Sequence, residues 1–320
     1  LRSWWYFNLY RVFGVVPITR TVVTPAAAKL IPRCTEEEMY TLLTEDLAEA
    51  ARLLPDTRNA EKARVTGIAA YTLLAKVYLT FGKHAEARTA LDEAMKATGY
   101  GLESTTKRVF DINNKMNKEV IFALYYNKTN DNGHGYWYSA NTDVMADIRN
   151  PTPEFKAIYD ESDNRLALID TYTKIQSNLF AMTKWYDTYD ATYTTQVGND
   201  FPHLRYADIT LMYAEALAET DLPTALTWLN KTRIRAGLDE LTSDDVKTKA
   251  EFIRELAAER GREFALEGHR WFDLVRLGLA VEHFRNLGYT LDAHNLIFPI
   301  PQNQIEIVNN PSILWQNPGF

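Results

Sequence analysis

The chain has 320 residues, carries 35 Lys and Arg against 42 Asp and Glu for a formal charge of -7, and is 46% hydrophobic. A chain of that length buries about three-quarters of its extended surface on folding, so it needs no disulfide framework, and its one cysteine could not build one. The acidic balance provides no basic field for a phosphate backbone, which argues against nucleic acid, and no apolar run approaches the eighteen or so residues of a membrane helix.

The chain opens Leu1-Arg2-Ser3-Trp4-Trp5-Tyr6 in what reads as the middle of a helix, without methionine or targeting segment, as a fragment or processed form would. Cys34 follows Arg33, where a lipidated cysteine would follow a small residue, so it is taken as an inert thiol and not an anchor. Thr35-Glu36-Glu37-Glu38 is a capping box ahead of the apolar series Met39, Leu43, Leu47, Ala50 and Leu54, which predicts a helix ending near Pro55. From Tyr71, the residues Leu74, Ala75, Tyr78, Ala87, Leu91 and Ala94 fall at the offsets of a tetratricopeptide helix pair, with Gly82 at its turn. In such a pair, large side chains of the first helix interlock with alanines of the second.

From 100 to 204 the 3.6-residue period is lost, and Val120-Ile121-Phe122-Ala123-Leu124-Tyr125 stands as a short strand among Gly, Asn, Asp and Pro turn signals. The 14 Phe, 7 Trp and 18 Tyr of the chain include two clusters with amides in this stretch. One, 125 to 143, holds Tyr136, Trp137, Tyr138 and Asn141; the other, 184 to 206, holds Trp185 and Tyr189. Flat rings suit the C-H faces of a sugar and in-plane amides suit its hydroxyls, although strand-borne aromatics also serve as core or edge packing. Trp137 with Tyr136, Tyr138 and Asn141 is the first candidate platform, with Trp185 and Tyr189 in reserve.

A second helix pair begins at Ile209, with Met212, Ala216, Ala225, Leu229 and Thr232 in register and Tyr213 where a small residue is expected. Gly237 is a helix stop, Thr248 and Glu251 form another capping box, and Gly278 is a further stop. Between them Glu259, Glu263 and Glu267 are expected on one helical face, with Arg260, Arg262, Arg270 and Arg276 in reach. Paired carboxylates could serve a glycosidase, but a general acid needs a raised pKa, so a structural ion network is the preferred expectation. His84, His134, His203, His269, His283 and His294 lack the spacing of a metal pair, and no phosphate loop, nucleophile elbow or Cys-x-x-Cys occurs, so no metal, cofactor or catalytic residue is assigned.

The block from Arg205 to Leu217, the run Leu229 to Gly237 and the stretch Glu259 to Arg276 together resemble the SusD/RagB family. So do the opening Tyr6 to Pro17 and the tail Phe298 to Pro301 with Gln316 to Phe320. The resemblance implies a mainly α fold of tetratricopeptide-like helical pairs with a loop-rich insertion carrying short strands, in a single domain over 1-320. The scaffold would occupy about 1-99 and 205-280, the insertion 100-204 and the tail 281-320. It further implies a non-enzymatic, cell-surface lipoprotein of an outer membrane. Such a protein captures oligosaccharides and delivers them to a SusC-like TonB-dependent transporter. A leading segment with signal peptide and lipidated cysteine is then expected before Leu1. The rivals are a tetratricopeptide-type peptide-binding adaptor and, behind it, a glycoside hydrolase.

Overall fold

The computed structural model describes residues 1–55, 64–126, 139–141, 151–170, 172–176, 179–185 and 198–320. Helices build most of it: α1 (Arg2–Phe13), α2 (Pro25–Ala28), α3 (Glu36–Leu53), α4 (Gly67–Thr80), α5 (His84–Ala94) and α6 (Thr106–Val109) come first. Strands β1 (Val120–Leu124) and β2 (Ser139–Asn141) are followed by α7 (Pro153–Lys156), α8 (Leu166–Asp170), β3 (Tyr172–Gln176), β4 (Leu179–Met182) and β5 (Phe201–Arg205). The chain returns to helix with α9 (Tyr206–Leu217), α10 (Leu222–Arg235), α11 (Lys249–Glu263), α12 (Arg270–Arg276), α13 (Ala280–Asn286) and α14 (Gln302–Val308).

Local chemistry starts these helices where the sequence places them. Thr35 Oγ1 accepts from Glu38 N at 3.1 Å while Thr35 N donates to the Glu38 carboxylate at 2.7 Å, and Thr248 with Glu251 repeats the arrangement before α11. The α3 stripe packs Met39, Leu42, Leu43, Leu47 and Ala51 inward, so Leu42 and Ala51 take the buried places expected of Ala50 and Leu54. Leu54 instead caps the helix, ahead of Pro55.

Both predicted helix pairs are present. Ala87, Leu91 and Ala94 of α5 and Ala225, Leu229 and Thr232 of α10 are fully buried, each set against the preceding helix. Gly82 turns the first pair at φ 68°, and Gly237 and Gly278 end helices at φ 85° and 72°. Tyr213 departs from the repeat pattern for a visible reason. Its hydroxyl donates to Asp92 of α5 at 2.7 Å and its ring packs on Trp228, so the large side chain ties the second pair to the first.

The tail is clipped to the amino end by Arg33. Its guanidinium donates to Val15 O (2.7 Å), Trp315 O (2.8 Å) and Asn317 Oδ1 (2.7 Å), and Asn317 Nδ2 donates in turn to Phe13 O and Phe298 O. Gly14 adopts φ 72°, the left-handed conformation that favours glycine, where the tail's Ile297 side chain comes close to α1. Cys34 beside this clamp is buried, and burial pushes its thiol pKa up.

Two small sheets occupy the insertion. β1 pairs antiparallel with β5, and β4 lies between β2 and β3 in a three-stranded antiparallel sheet. No described helix is long and apolar enough to cross a membrane.

Candidate functional site

The β1/β5 ribbon turns alternate side chains to opposite faces. Ile121, Ala123 and Leu204 point into the core, while Phe122 and Leu124 of β1 and Phe201 and His203 of β5 line a cleft of about 410 Å³. The opposite wall comes from α1, with Trp4, Trp5 and Asn8, and the floor from Gly268, His269 and Phe272. Trp4 meets Phe122 edge-on at 5.6 Å and tilts over His203 at 4.8 Å, so the cleft is walled by rings whose faces and edges are already fixed. Trp5 stands 66% exposed at the rim. Burial, with Lys76 and Arg11 nearby, pushes the His203 pKa down to about 4, which leaves a neutral imidazole with one donor and one acceptor at neutral pH.

The outer end of this ribbon is where both aromatic clusters attach. Leu124 pairs with Phe201, Tyr126 N donates to Asp200 Oδ1 at 3.0 Å, and Lys115 holds Asp200 at 2.9 Å while lying 4.0 Å over the Tyr125 ring. Downstream, Ser139 of β2 pairs with Ala181 of β4. Each cluster therefore leaves one end of the β1/β5 pair and is bounded at its other end by the β2/β4 pair.

Beneath the ribbon lies a buried ion network. Glu263 is bound by Arg165 (3.0 Å), Arg205 (2.6 Å) and Arg235; Glu259 by Arg165 (2.7 Å) and Arg262 (3.1 Å); Glu267 by Lys184 and Arg205, both at 2.8 Å. Glu119 at the foot of β1 bonds Arg205 and Arg235, and Asp163 bonds Arg165. These ten groups, five of each sign, join the ends of β1 and β5 and the turn after β4 to α10 and α11. Burial alone would raise the Glu263 pKa, but Arg235, Arg205 and Arg165 outweigh it and hold the carboxyl well below the usual range; against the same burial, Arg165 lowers that of Glu259. An acid that stays ionised cannot protonate a glycosidic oxygen. The partners are a correction to the expected ones. Of the four expected arginines, Arg262 alone serves the stripe: Arg260 pairs with Asp208 and Asp273, Arg276 with Glu215 and Asp273, and Arg270 donates to Ala257 O. Glu267 also sits beyond the helix, which ends at Glu263, and reaches the network through a turn with Leu266 at φ 63°.

Of the six candidate contact residues, Tyr136, Trp137, Tyr138 and Tyr189 lie outside the described residues. Asn141 closes β2 opposite Leu179. Trp185 is corrected: it is 2% exposed, stacked on Phe201 at 5.7 Å and edge-on to Phe110 at 5.1 Å, so it is a core residue without a free face. The cleft rings Trp4, Trp5, Phe122 and Phe201 were not among the expected sites. Their signals were adjacent tryptophans in a helix and the alternation Phe122-x-Leu124 and Phe201-x-His203.

Comparison with known proteins places this arrangement. A family model described as the SusD family matches residues 159–320, half of the chain. The chain belongs to the SusD family. A second SusD-like model, described as starch-binding associating with outer membrane, matches 1–79, and residues 80–158 lie outside both matches. SusD-like protein P2 of Formosa agariphila is 27% identical, with 100% of this chain and 72% of that protein covered. Among solved structures, a SusD-like protein from Bacteroides fragilis superposes with a TM-score of 0.81 at 22% identity, covering all of this chain and 78% of the other. A laminarin binding SusD-like protein does so with 0.76 at 25%, covering 100% and 77%. The mainly α, tetratricopeptide-like architecture is thus that of the SusD family, as the motifs implied.

Proposed function

We propose that this SusD-family protein binds oligosaccharides without cleaving them, at the outer surface of an outer membrane, and delivers them to a SusC-like TonB-dependent transporter. The observation that carries this reading is the aromatic cleft beside the β1/β5 end from which both ring- and amide-rich clusters depart. Fixed rings flanked by Asn8 and a neutral His203 match the alternating C-H faces and hydroxyl edges of a glycan chain. Tyr136, Trp137, Tyr138, Asn141 and Tyr189 are the proposed contacts on the two clusters; Trp185 positions the second from the core.

The non-enzymatic part is supported by the stripe Glu259, Glu263 and Glu267, each engaged by buried cations. Laminarin binding by a structural relative and the starch-binding, outer-membrane description of the model over 1–79 support the ligand class and the location. Transporter delivery and a lipid anchor follow from the family resemblance. A glycan array probed with the purified protein, carrying laminarin, starch and acidic polysaccharides, tests the ligand class. Retention of at least one glycan class is expected; a blank array from folded protein would overturn the reading.

A further inference from the structure

Arg11, in the last turn of α1, differs from its cationic neighbours. Lys76 is bound by Asp208, Arg260 by Asp208 and Asp273 at 2.9 and 2.8 Å, and Arg276 by Glu215 and Asp273. Three cations therefore share three carboxylates, and Arg11 is a fourth cation beside them. Among the described residues no carboxylate lies within ion-pair distance of Arg11. Its plane is instead held between two rings, Phe7 at 4.6 Å and Phe272 at 4.0 Å, with Nη2 donating to Asn8 Oδ1 at 2.6 Å. Nε is buried without a partner. This is a guanidinium packed against two rings, with an Nε–H that makes no hydrogen bond.

That residue lies where two cavities meet. The aromatic cleft of about 410 Å³ and a second of about 440 Å³, bounded by Tyr10, Thr80 and Ile297, share Arg11, Lys76, His269 and Phe272. Each is within the roughly 300–1,000 Å³ of small-ligand sites. The one carboxylate on the aromatic side, Glu267, is already bound three times by Lys184 and Arg205 at 2.8 to 2.9 Å, so it neither competes for Arg11 nor opposes an incoming anion at full strength. His269, whose pKa burial and Lys76 push well down, adds no balancing charge of its own.

We propose that this cleft takes a saccharide unit bearing a carboxylate, a hexuronate, with the carboxylate at the Arg11 guanidinium and the sugar's C-H face on Trp5 and Phe272. A planar carboxylate matches the fork of a guanidinium with two parallel N–H···O bonds. The inference rests on the glycan-binding reading and sharpens it to an acidic ligand, bound by a locally cationic cleft on a chain of net charge -7.

The test is calorimetric titration with oligogalacturonate and oligoglucuronate, with their methyl esters, which keep the shape and remove the charge, and with a sulfated oligosaccharide of equal length. Wild-type protein should bind one uronate series about tenfold or more tighter than its ester. Arg11→Gln should erase that difference, and Trp5→Ala, at an exposed rim position that does not threaten folding, should weaken the uronate and its ester alike. Equal affinity for acid and ester in wild-type protein would overturn the inference while leaving glycan binding intact. Tighter binding of the sulfated chain would overturn the carboxylate assignment. Binding of neutral glycans alone would overturn the inference only, and binding of no saccharide would overturn both this and the broader function.

Discussion

At the scale of single residues, the same side-chain type takes opposite roles according to where the fold puts it. Trp5 stands at a cleft rim, whereas Trp185 is wedged between Phe110 and Phe201 at 2% exposure. Trp185→Ala should therefore cost about 3 to 5 kcal/mol of stability, read as a lower urea midpoint, through the cavity it leaves. A midpoint within error of wild type would show that the ring is not packed as described. Glu263 presents a parallel case. It is fully buried among three guanidinium groups, so Glu263→Gln leaves buried cations underpaired and should cost on the order of 3 kcal/mol or more. Hydrolysis of any glycan by wild-type protein that this variant lost while folded would contradict the structural assignment.

Elements were legible where their signals are local. Thr35 with Glu38, Thr248 with Glu251 and the glycines at 82, 237 and 278 act over three or four residues, so their order in the sequence already contains the geometry. The repeat offsets are equally local, since they encode which side chains of two adjoining helices meet. What the sequence withheld is long-range. Arg165, Lys184, Arg205 and Arg235 reach the α11 stripe from distant segments, and no spacing rule links them to Glu259, Glu263 or Glu267. The wall that α1 gives the cleft was hidden for the same reason: Trp4 and Trp5 acquire a partner surface only when β1 and β5 pair. Tyr213 shows how a departure from a repeat can itself be informative. Its hydroxyl joins α9 to α5, so Tyr213→Phe should cost about 1 kcal/mol and leave each helix pair intact. Hydrogen exchange should then accelerate at the contact between the pairs. An unchanged exchange pattern and midpoint would deny it a linking role.

Two sets of charged groups are buried in the molecule, and its stability should report them through pH. His203, down to about 4 by burial and by Lys76 and Arg11, and His269, lower than usual by burial and Lys76, resist protonation in the folded state. The unfolded chain takes up those protons first, near pH 6.5, so their contribution is complete above that value and is lost as pH falls towards 4. Glu263, Asp208 and Asp273 are depressed carboxyls: opposed by burial, the surrounding Arg and Lys groups hold them down, and their contribution is lost only below about pH 4. The urea midpoint should decline from pH 7 to pH 5 and fall more steeply below pH 4, with His203→Asn flattening the upper part. A midpoint level between pH 7 and pH 5 would contradict this.

On the same scale, the first helix pair packs against the β1/β5 ribbon through α4, and the network of Glu119, Arg205, Glu263 and Glu267 ties down its foot. On the proposed function, the two aromatic clusters that leave the ribbon extend the ligand surface begun by the cleft. The most direct check is calorimetric titration of wild-type protein and Trp137→Ala with whichever oligosaccharide the wild type retains. Micromolar to millimolar binding by wild type, no released sugar, and an affinity loss of about tenfold or more in the folded variant are expected. Equal affinity in both proteins, or cleavage of the ligand, would contradict a non-enzymatic glycan platform on these segments.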